Sequence, residues 1–502
     1  MSTVGQEGVL RPARVAGAPG AWTRGTERLL DVLSRESPLI VAWGLMTALW
    51  LYAGGSFAGD SWLTLLGGRE LLAHGFPHHD SLAVLSHGHA WIDQQWLAQL
   101  FYYGVYKLGG IGLLSRVNVL LFSSAAAIGL IVARRRGASP SRVLVCAVPA
   151  LLLTGRFIRA EVPAQLLFVL LLVLLVRESK RPSRMALLAF PLVALWANVH
   201  GSAVLGAMLV SLLGLVELLR ALRLGTRPRL ARSVTLAIGA WPCLLVTPYG
   251  WGVLAYYRAT LWHPAFAKYI TEWQSPRLMS LWGGTFFAAA LLAAIVVARR
   301  PRDLNAFEHG ALVLTFVGGL LAVRSAIWLT YAVLILVPSA LERLWPVHQT
   351  TRAKFVPFRA ALSTLLLGLC LFFVLRPAAS LERQWPTPAA RAVAHAAHSE
   401  PSLRVLSNEE YADWLLFREP GLRGRIAFDG RWEILEPDQM SAVVDFLFRQ
   451  TPHWERLARG YDVFVLDPKT NRRVVDGYLR RDDMLVVYSD KRVVVFERHR
   501  KT

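Results

Sequence analysis

Apolar residues gather in long runs separated by short polar connections, instead of recurring with an amphipathic period. A run of about 18 or more apolar residues can cross the hydrocarbon core of a bilayer as a helix. Candidate spans lie near residues 38–55, 113–133, 143–155, 163–176, 185–199, 202–219, 233–248, 280–298, 305–323, 325–341 and 360–376. The pattern therefore predicts an α-helical polytopic membrane protein of about eleven transmembrane helices. The segment from Trp96 to Gly110 is also apolar, but Lys107 and Gly109–Gly110 interrupt it, which predicts an interfacial or re-entrant helix.

Every second connection is basic. Arg134, Arg135, Arg136 and Arg142 follow the second span, Arg177, Lys180, Arg181 and Arg184 the fourth, and Arg220, Arg223, Arg227, Arg229 and Arg232 the sixth. Arg299, Arg300 and Arg302 follow the eighth, and Arg343, Arg352, Lys354 and Arg359 the tenth. Basic loops stay in the cytoplasm. The N-terminal tail, residues 1–37, is thereby placed inside, and the polytopic domain covers 38–376. Its first extracytoplasmic loop is 56–112. An odd number of spans puts residues 377–502 outside.

After residue 376 the pattern changes. Leu403–Leu406, Arg425–Phe428, Val463–Leu466, Met484–Tyr488 and Arg492–Phe496 read as short strands, the last two joined as a hairpin by Ser489-Asp490-Lys491. Helical periodicity marks 409–417 and 438–449, so a small soluble α/β domain is expected.

Composition agrees with the membrane reading: 18% of residues are charged and mean hydropathy is +0.39, against roughly a quarter charged in soluble domains. The net charge of +21 raises nucleic acid as a partner. From residue 377 onward, however, 20 Lys+Arg meet 19 Asp+Glu, so the excess sits in the membrane part's short loops. That is an orientation signal, and no nucleic-acid partner is expected. Cys146, Cys243 and Cys370 each lie inside an apolar run and read as buried thiols.

The chemistry-bearing residues fall in the outward connections. The first loop holds Asp60, Asp80 and Asp93 among His74, His78, His79, His87 and His89. Carboxylates beside apolar helices can act as general bases, because partial burial raises their pKa. Asp60 equally suits the cap of a helix starting at Trp62. The histidines have no zinc-site spacing, so no metal site is assigned. Arg156, Arg159 and Glu161 in TGRFIRAEVP, His200 in LWANVHGS and Arg324 between GGLLAV and SAIWLTYAV lie at outward ends of spans. Charge near the membrane interior is expensive, and guanidinium forks suit a lipid phosphate. The aromatic loop TPYGWGVLAYYRATLWHPAFAKYITEWQ offers Tyr249, Glu272 and Trp273 as candidates for an acceptor or sugar. The Asp429-Gly430-Arg431-Trp432 stretch reads as a tight turn with Arg431 paired locally.

Several stretches resemble the GT-C superfamily of polytopic membrane glycosyltransferases, which includes protein O-mannosyltransferases and the aminoarabinose transferase. They are GDSWLTLLGGRELLAHGFPHHD, WIDQQWLAQLFYYGVYKLGG, GRFIRAEVPAQ, LWANVHGS, TPYGWGVL and, in the tail, NEEYADWLLFREPGLRGRIAFDGRWEI. The resemblance covers nearly the whole chain. It implies a polyprenyl-phosphate-linked sugar as donor, with inverting transfer to a glycan, lipid or protein acceptor of the cell envelope. Asp60 matches the family's first-loop acidic residue and would be the base, with Asp80 and Asp93 as second candidates. Arg156, Arg159, His200 and Arg324 would hold the donor phosphate. Many relatives carry Asp-Asp, Asp-Glu or Asp-X-Asp at the first acidic position, where Asp60 is followed by Ser61 and Trp62. Asp93-Gln94-Gln95-Trp96-Leu97 stands in place of the mannosyltransferases' His/Lys-Pro-Pro-Leu stretch. These departures leave a divalent cation open as a cofactor. A non-catalytic transporter or scaffold for lipid-linked sugars is the alternative function.

Overall fold

A backbone in hydrocarbon has no water to satisfy its N–H and C=O groups, so apolar runs of this length fold as helices. The computed structural model describes residues 21–53, 57, 59–153, 157–225, 230–263, 265–346, 356–375 and 385–499. Helix α1 is Ala21–Arg35, α2 Ser37–Ala53, α3 Gly59–His74, α4 Trp96–Arg135, α5 Pro140–Leu153 and α6 Glu161–Lys180. A 3-10 turn, Arg184–Leu188, leads into α7 at Ala189–Ala197, followed by α8 Ala203–Leu224 and α9 Leu230–Cys243. Short helices α10, Val253–Leu261, and α11, Phe266–Tyr269, precede α12 Leu281–Arg299 and α13 Ala306–Leu321. The set closes with α14 Ala326–Leu336, α15 Pro338–Leu344 and α16 Val356–Leu375.

Each predicted span falls on helix: 185–199 on the 3-10 turn with α7, 325–341 on α14 with α15, and the others each on a single helix. Among the described residues, α4, α6, α8, α12 and α16 are long and apolar enough to cross a membrane singly. The segments α14 and α15 pass together across a 54° bend. Pro338 sits at that bend, where it has no N–H to donate and restricts the residue before it. Every residue of α14 is buried, as a helix apolar on all sides must be. It packs against α4, α5, α6, α12 and α13 and forms the centre of the bundle.

The predicted interfacial helix is the first part of α4. Its break falls at Gly109 and Gly110, and Gly110 takes φ 62°, ψ −163°, a conformation open to glycine and strained for other residues. The segment before the break packs on α3. At Gly68 a Cβ would come within 2.4 Å of the Gln99 carbonyl oxygen, so only glycine permits that approach.

The basic connections gather at one end of the bundle. Arg134 pairs with Glu36 at 2.5 Å, and Arg232 with Glu178 at 3.2 Å. Glu308, fully buried in the first turn of α13, takes Arg136 at 2.6 Å and Lys180 at 3.0 Å. A buried carboxylate is costly unless paired, so these contacts fix several loops to one another.

In the C-terminal part, α17 (Thr387–Ser399) precedes β1 (Val405–Ser407), α18 (Glu409–Arg418), α19 (Pro437–Phe448), β2 (Val463–Leu466), α20 (Arg472–Tyr478), β3 (Met484–Ser489) and β4 (Val494–Arg498). The sheet order is β1-β2-β4-β3, with β1/β2 parallel and the other pairs antiparallel. The expected hairpin is present. Asp490 closes it by accepting the backbone N–H groups of Arg492 and Val493. The expected strand at 425–428 is not a strand. Ile426 makes isolated bridges to Val405 and to Ala83, so this stretch seals the sheet's edge against the first loop.

That loop grips the domain elsewhere. Arg69 donates to the carbonyls of Leu416 and Phe417, Arg423 pairs with Glu70 at 2.8 Å, and Gln439 donates to the Leu85 carbonyl. The C-terminal domain therefore sits on the same end of the bundle as Asp60, opposite the basic connections.

Candidate functional site

Connections between helices, together with the C-terminal domain, enclose a cavity of about 410 Å³. Asp60 reaches it from the first turn of α3, Arg159 from the turn before α6, and His200 from the α7–α8 turn. Glu272 and Trp273 come from a 3-10 turn, Thr271–Trp273, and Arg324 from another, Val323–Ser325. The two turns are tied together where the Val323 N–H donates to the Gln274 carbonyl at 2.9 Å. The predicted Arg156 lies outside the described residues.

Arg159 is the hub. Its Nε lies 2.9 Å from Asp60 Oδ2 and its Nη1 2.6 Å from Glu272 Oε1. Asp60 is inside the first helical turn with its carboxylate turned onto Arg159, so it does not act as the cap of α3. Burial opposes the charge on Glu272, but the Arg159 and Arg324 cations overcome it and hold its carboxyl below the usual range. Arg324 lies 4.9 Å over the Trp273 ring. Among the described residues no carboxylate comes within ion-pair distance of it. His200 is different: burial, then the Arg324 and Arg159 charges, push its imidazole down to about 3. It is neutral at physiological pH. Its Nδ1 accepts the Ser202 N–H, which leaves the proton on Nε2.

A second space of about 420 Å³ adjoins the cavity on the helix-bundle side and shares Arg159, Glu161, Thr271, Glu272 and Arg324 with it. Leu153, Phe157, Val162, Trp282 and Val323 make its walls largely apolar, and Arg277 adds another cation.

Asp93 lines the main cavity, 3% exposed, with Oδ1 accepting from Gln99 Nε2 at 2.9 Å. Burial pushes its carboxyl up to about 7. Asp80 is placed elsewhere. It is buried against Arg431 at 2.5 Å and accepts from Ser86 Oγ and the Leu82 N–H. Arg431 is held on its other side by Asp429 and lies 4.8 Å over Trp91, so the expected local pairing is present and also reaches the first loop. Tyr249 is not among the cavity's lining residues; its ring packs on Phe76 and His78.

A divalent cation does not fit the acidic residues found here. Asp60 and Glu272 share the Arg159 guanidinium, and among the described residues no three His, Cys, Asp or Glu side chains converge on a metal position. Of the loop histidines, His89 contacts the Ile434 carbonyl, His79 the Gly88 carbonyl, and His74 sits beside Glu70.

The C-terminal domain adds a wall that sequence reasoning missed: Glu409, Trp432 and Glu433. Burial, together with the Asp60 charge, raises Glu409 to about 8, and burial raises Glu433 to about 7. Both lie in the tail stretch NEEYADW…DGRWEI, where Glu409 read only as the start of a helix. Nothing local marks it as facing Asp60.

No protein-family model matches the chain, and no curated protein matches it. Solved structures do. The apo oligosaccharyltransferase of Archaeoglobus fulgidus aligns over 86% of this chain and 69% of its own, at 12% identity and a TM-score of 0.50. ArnT of Cupriavidus metallidurans bound to undecaprenyl phosphate aligns over 95% and 98%, at 15% identity and 0.48. The Archaeoglobus fulgidus enzyme AglB with an inhibitory peptide and a dolichol-phosphate aligns over 88% and 70%, at 11% identity and 0.49.

Proposed function

We propose that this chain, whose fold is that of the GT-C superfamily, is a membrane glycosyltransferase that moves a sugar from a polyprenyl-phosphate-linked donor to an extracytoplasmic acceptor with inversion. Arg324 carries the reading. It is a guanidinium with no carboxylate partner among the described residues, set where a polar cavity meets an apolar groove. A phosphate on a long apolar tail requires that combination: a cation for the headgroup and a dry wall for the first prenyl units. Arg159 does not supply a second free cation, because Asp60 and Glu272 neutralise it.

In the reaction, the acceptor's nucleophilic atom loses its proton to the Asp60 carboxylate and bonds to the anomeric carbon. The bond from that carbon to the phosphate oxygen breaks, and its electron pair leaves on the phosphate. Arg324 stabilises that departing charge, and neutral His200 can donate one hydrogen bond through Nε2. Arg159 positions Asp60. Glu272 in turn holds Arg159, which keeps the guanidinium from saturating Asp60 alone. Asp93 is the second candidate for the base.

The test is transfer from a labelled polyprenyl-phosphate sugar by purified protein. Asp60→Asn should lose about 10²–10⁴-fold in rate while inserting normally into the membrane. Undiminished transfer by that variant removes Asp60 from the role. Movement of intact lipid across liposomes without any transfer would favour a transporter instead.

A further inference from the structure

We infer that Asp93, Glu409, Trp432 and Glu433 form a subsite for a hydroxyl-rich carbohydrate group, in the same cavity as the phosphate-binding arginine. This rests on the glycosyltransferase reading. The cavity is polarised: Arg159, Glu272 and Arg324 belong to both the cavity and the apolar groove, whereas the four subsite residues line the cavity alone. Among the described residues, none of the three carboxyls is in an ion pair. The acids that do bind cations, Asp60 and Glu272, share the Arg159 guanidinium. One space therefore holds a cationic part, shared with the apolar groove, and a set of carboxyls without a cation.

A second observation points to a ligand in that space. Gln94 is 2% exposed and lines the cavity; its amide nitrogen is committed to the Ala197 carbonyl at 2.7 Å, and its Oε1 has no partner among the described residues. The hydroxyl of Tyr257, also in the cavity wall, has none either. Buried polar atoms are rarely left unpaired in folded proteins, and a ligand's hydroxyls would satisfy both.

The chemistry of the wall selects the ligand. A carboxyl that keeps its proton both donates and accepts, as a sugar hydroxyl does, and burial favours that form at Glu409 and Glu433. An ammonium only donates and would need an ionised partner, which burial disfavours here. Trp432 supplies an apolar surface of the kind that sugar rings need.

The experiment uses the full chain in lipid nanodiscs, with methyl β-glucopyranoside as the carbohydrate probe and ethanolamine as the cationic one. Binding is read by saturation-transfer NMR, and undecaprenyl phosphate affinity is measured separately as the check that each variant has folded. Glu409→Ala with Glu433→Ala should weaken glycoside binding about tenfold. Glu409→Gln with Glu433→Gln should keep it within about threefold, because an amide also donates and accepts. During turnover, a raised acceptor KM with unchanged donor affinity assigns the subsite to the acceptor's sugar. Donor affinity falling to that of bare undecaprenyl phosphate assigns it to the donor's sugar. Either supports the inference. It is overturned if the alanine pair binds glycoside as the wild type does, if the glutamine pair loses as much as the alanine pair, or if only ethanolamine binds. Should undecaprenyl phosphate fail to bind wild-type protein while the glycoside binds, the donor reading fails and the subsite stands.

Discussion

Asp60 and Asp93 are both first-loop carboxylates, yet the fold gives them opposite electrostatics. Asp60 shares a guanidinium, whereas Asp93 has hydrogen bonds but no ion pair among the described residues, and burial raises its carboxyl to about 7. That shift has a consequence for stability. The unfolded chain releases this proton near pH 4 and the folded chain retains it until about 7. The folded state therefore binds more protons across that window, and stability falls as pH rises through it. One such group contributes a slope of about 1.4 kcal/mol per pH unit. Asp93→Asn keeps an acceptor for Gln99 and the Gln95 N–H, so it should remove that share of the slope. The thermal midpoint of the variant should drop less than the wild type's between pH 5 and 7. A residual slope reaching about pH 8 is expected from Glu433 and Glu409. Parallel curves for the two proteins would contradict the assignment.

Among the elements, α4 is where local sequence and global placement meet most directly. Lys107 and the paired glycines predict a break, and the break falls at Gly109–Gly110. Gly110→Ala should cost about 1–3 kcal/mol through backbone strain. Gly104→Ala, in regular helix with nothing within 4 Å of the added methyl, should be neutral or gain up to about 1 kcal/mol. Denaturation of both variants in detergent separates strain from a general effect of added bulk; equal losses would mean that the break is not held by Gly110's conformation. The helices were legible because apolarity over a span is a local property and needs no knowledge of partners. The 425–428 stretch misled because Ile426 and Phe428 satisfy strand propensity, while its backbone is shared between Val405 and Ala83. Asp80 misled for a related reason. Its partner Arg431 is 351 positions away, so a buried structural ion pair reads locally like a free loop carboxylate. Arg159 and Arg324 were legible as charges at outward span ends, and Glu272 as a carboxylate beside Trp273 in the aromatic loop. Glu409 and Glu433 were not, because only the docking of the domain brings them to the cavity.

At the scale of the whole molecule, the two ends of the bundle have different electrostatic characters, and this bears on which side of the membrane each faces. One end ties basic loops together through Glu36, Glu178 and Glu308. The other carries the cavity and the C-terminal domain. Span parity alone left the side of that domain dependent on the count. Its contacts with the first loop, above all the Arg431 bridge between Asp80 and Asp429, make it share the side of Asp60 whatever the count. The arginine-rich loops then predict that their end faces the cytoplasm. Cys146, Cys243 and Cys370 all lie within helices, two of them buried, so single-cysteine reporters can be introduced on a quiet background. Ser402→Cys, exposed at the start of the C-terminal domain, should react with a membrane-impermeant maleimide in intact cells. Arg302→Cys, exposed in the basic connection between α12 and α13, should react only after permeabilisation. Labelling of both from one side would break the link between the fold's two ends and the two faces of the membrane. The reverse pattern would put the cavity in the cytoplasm and exclude an extracytoplasmic acceptor.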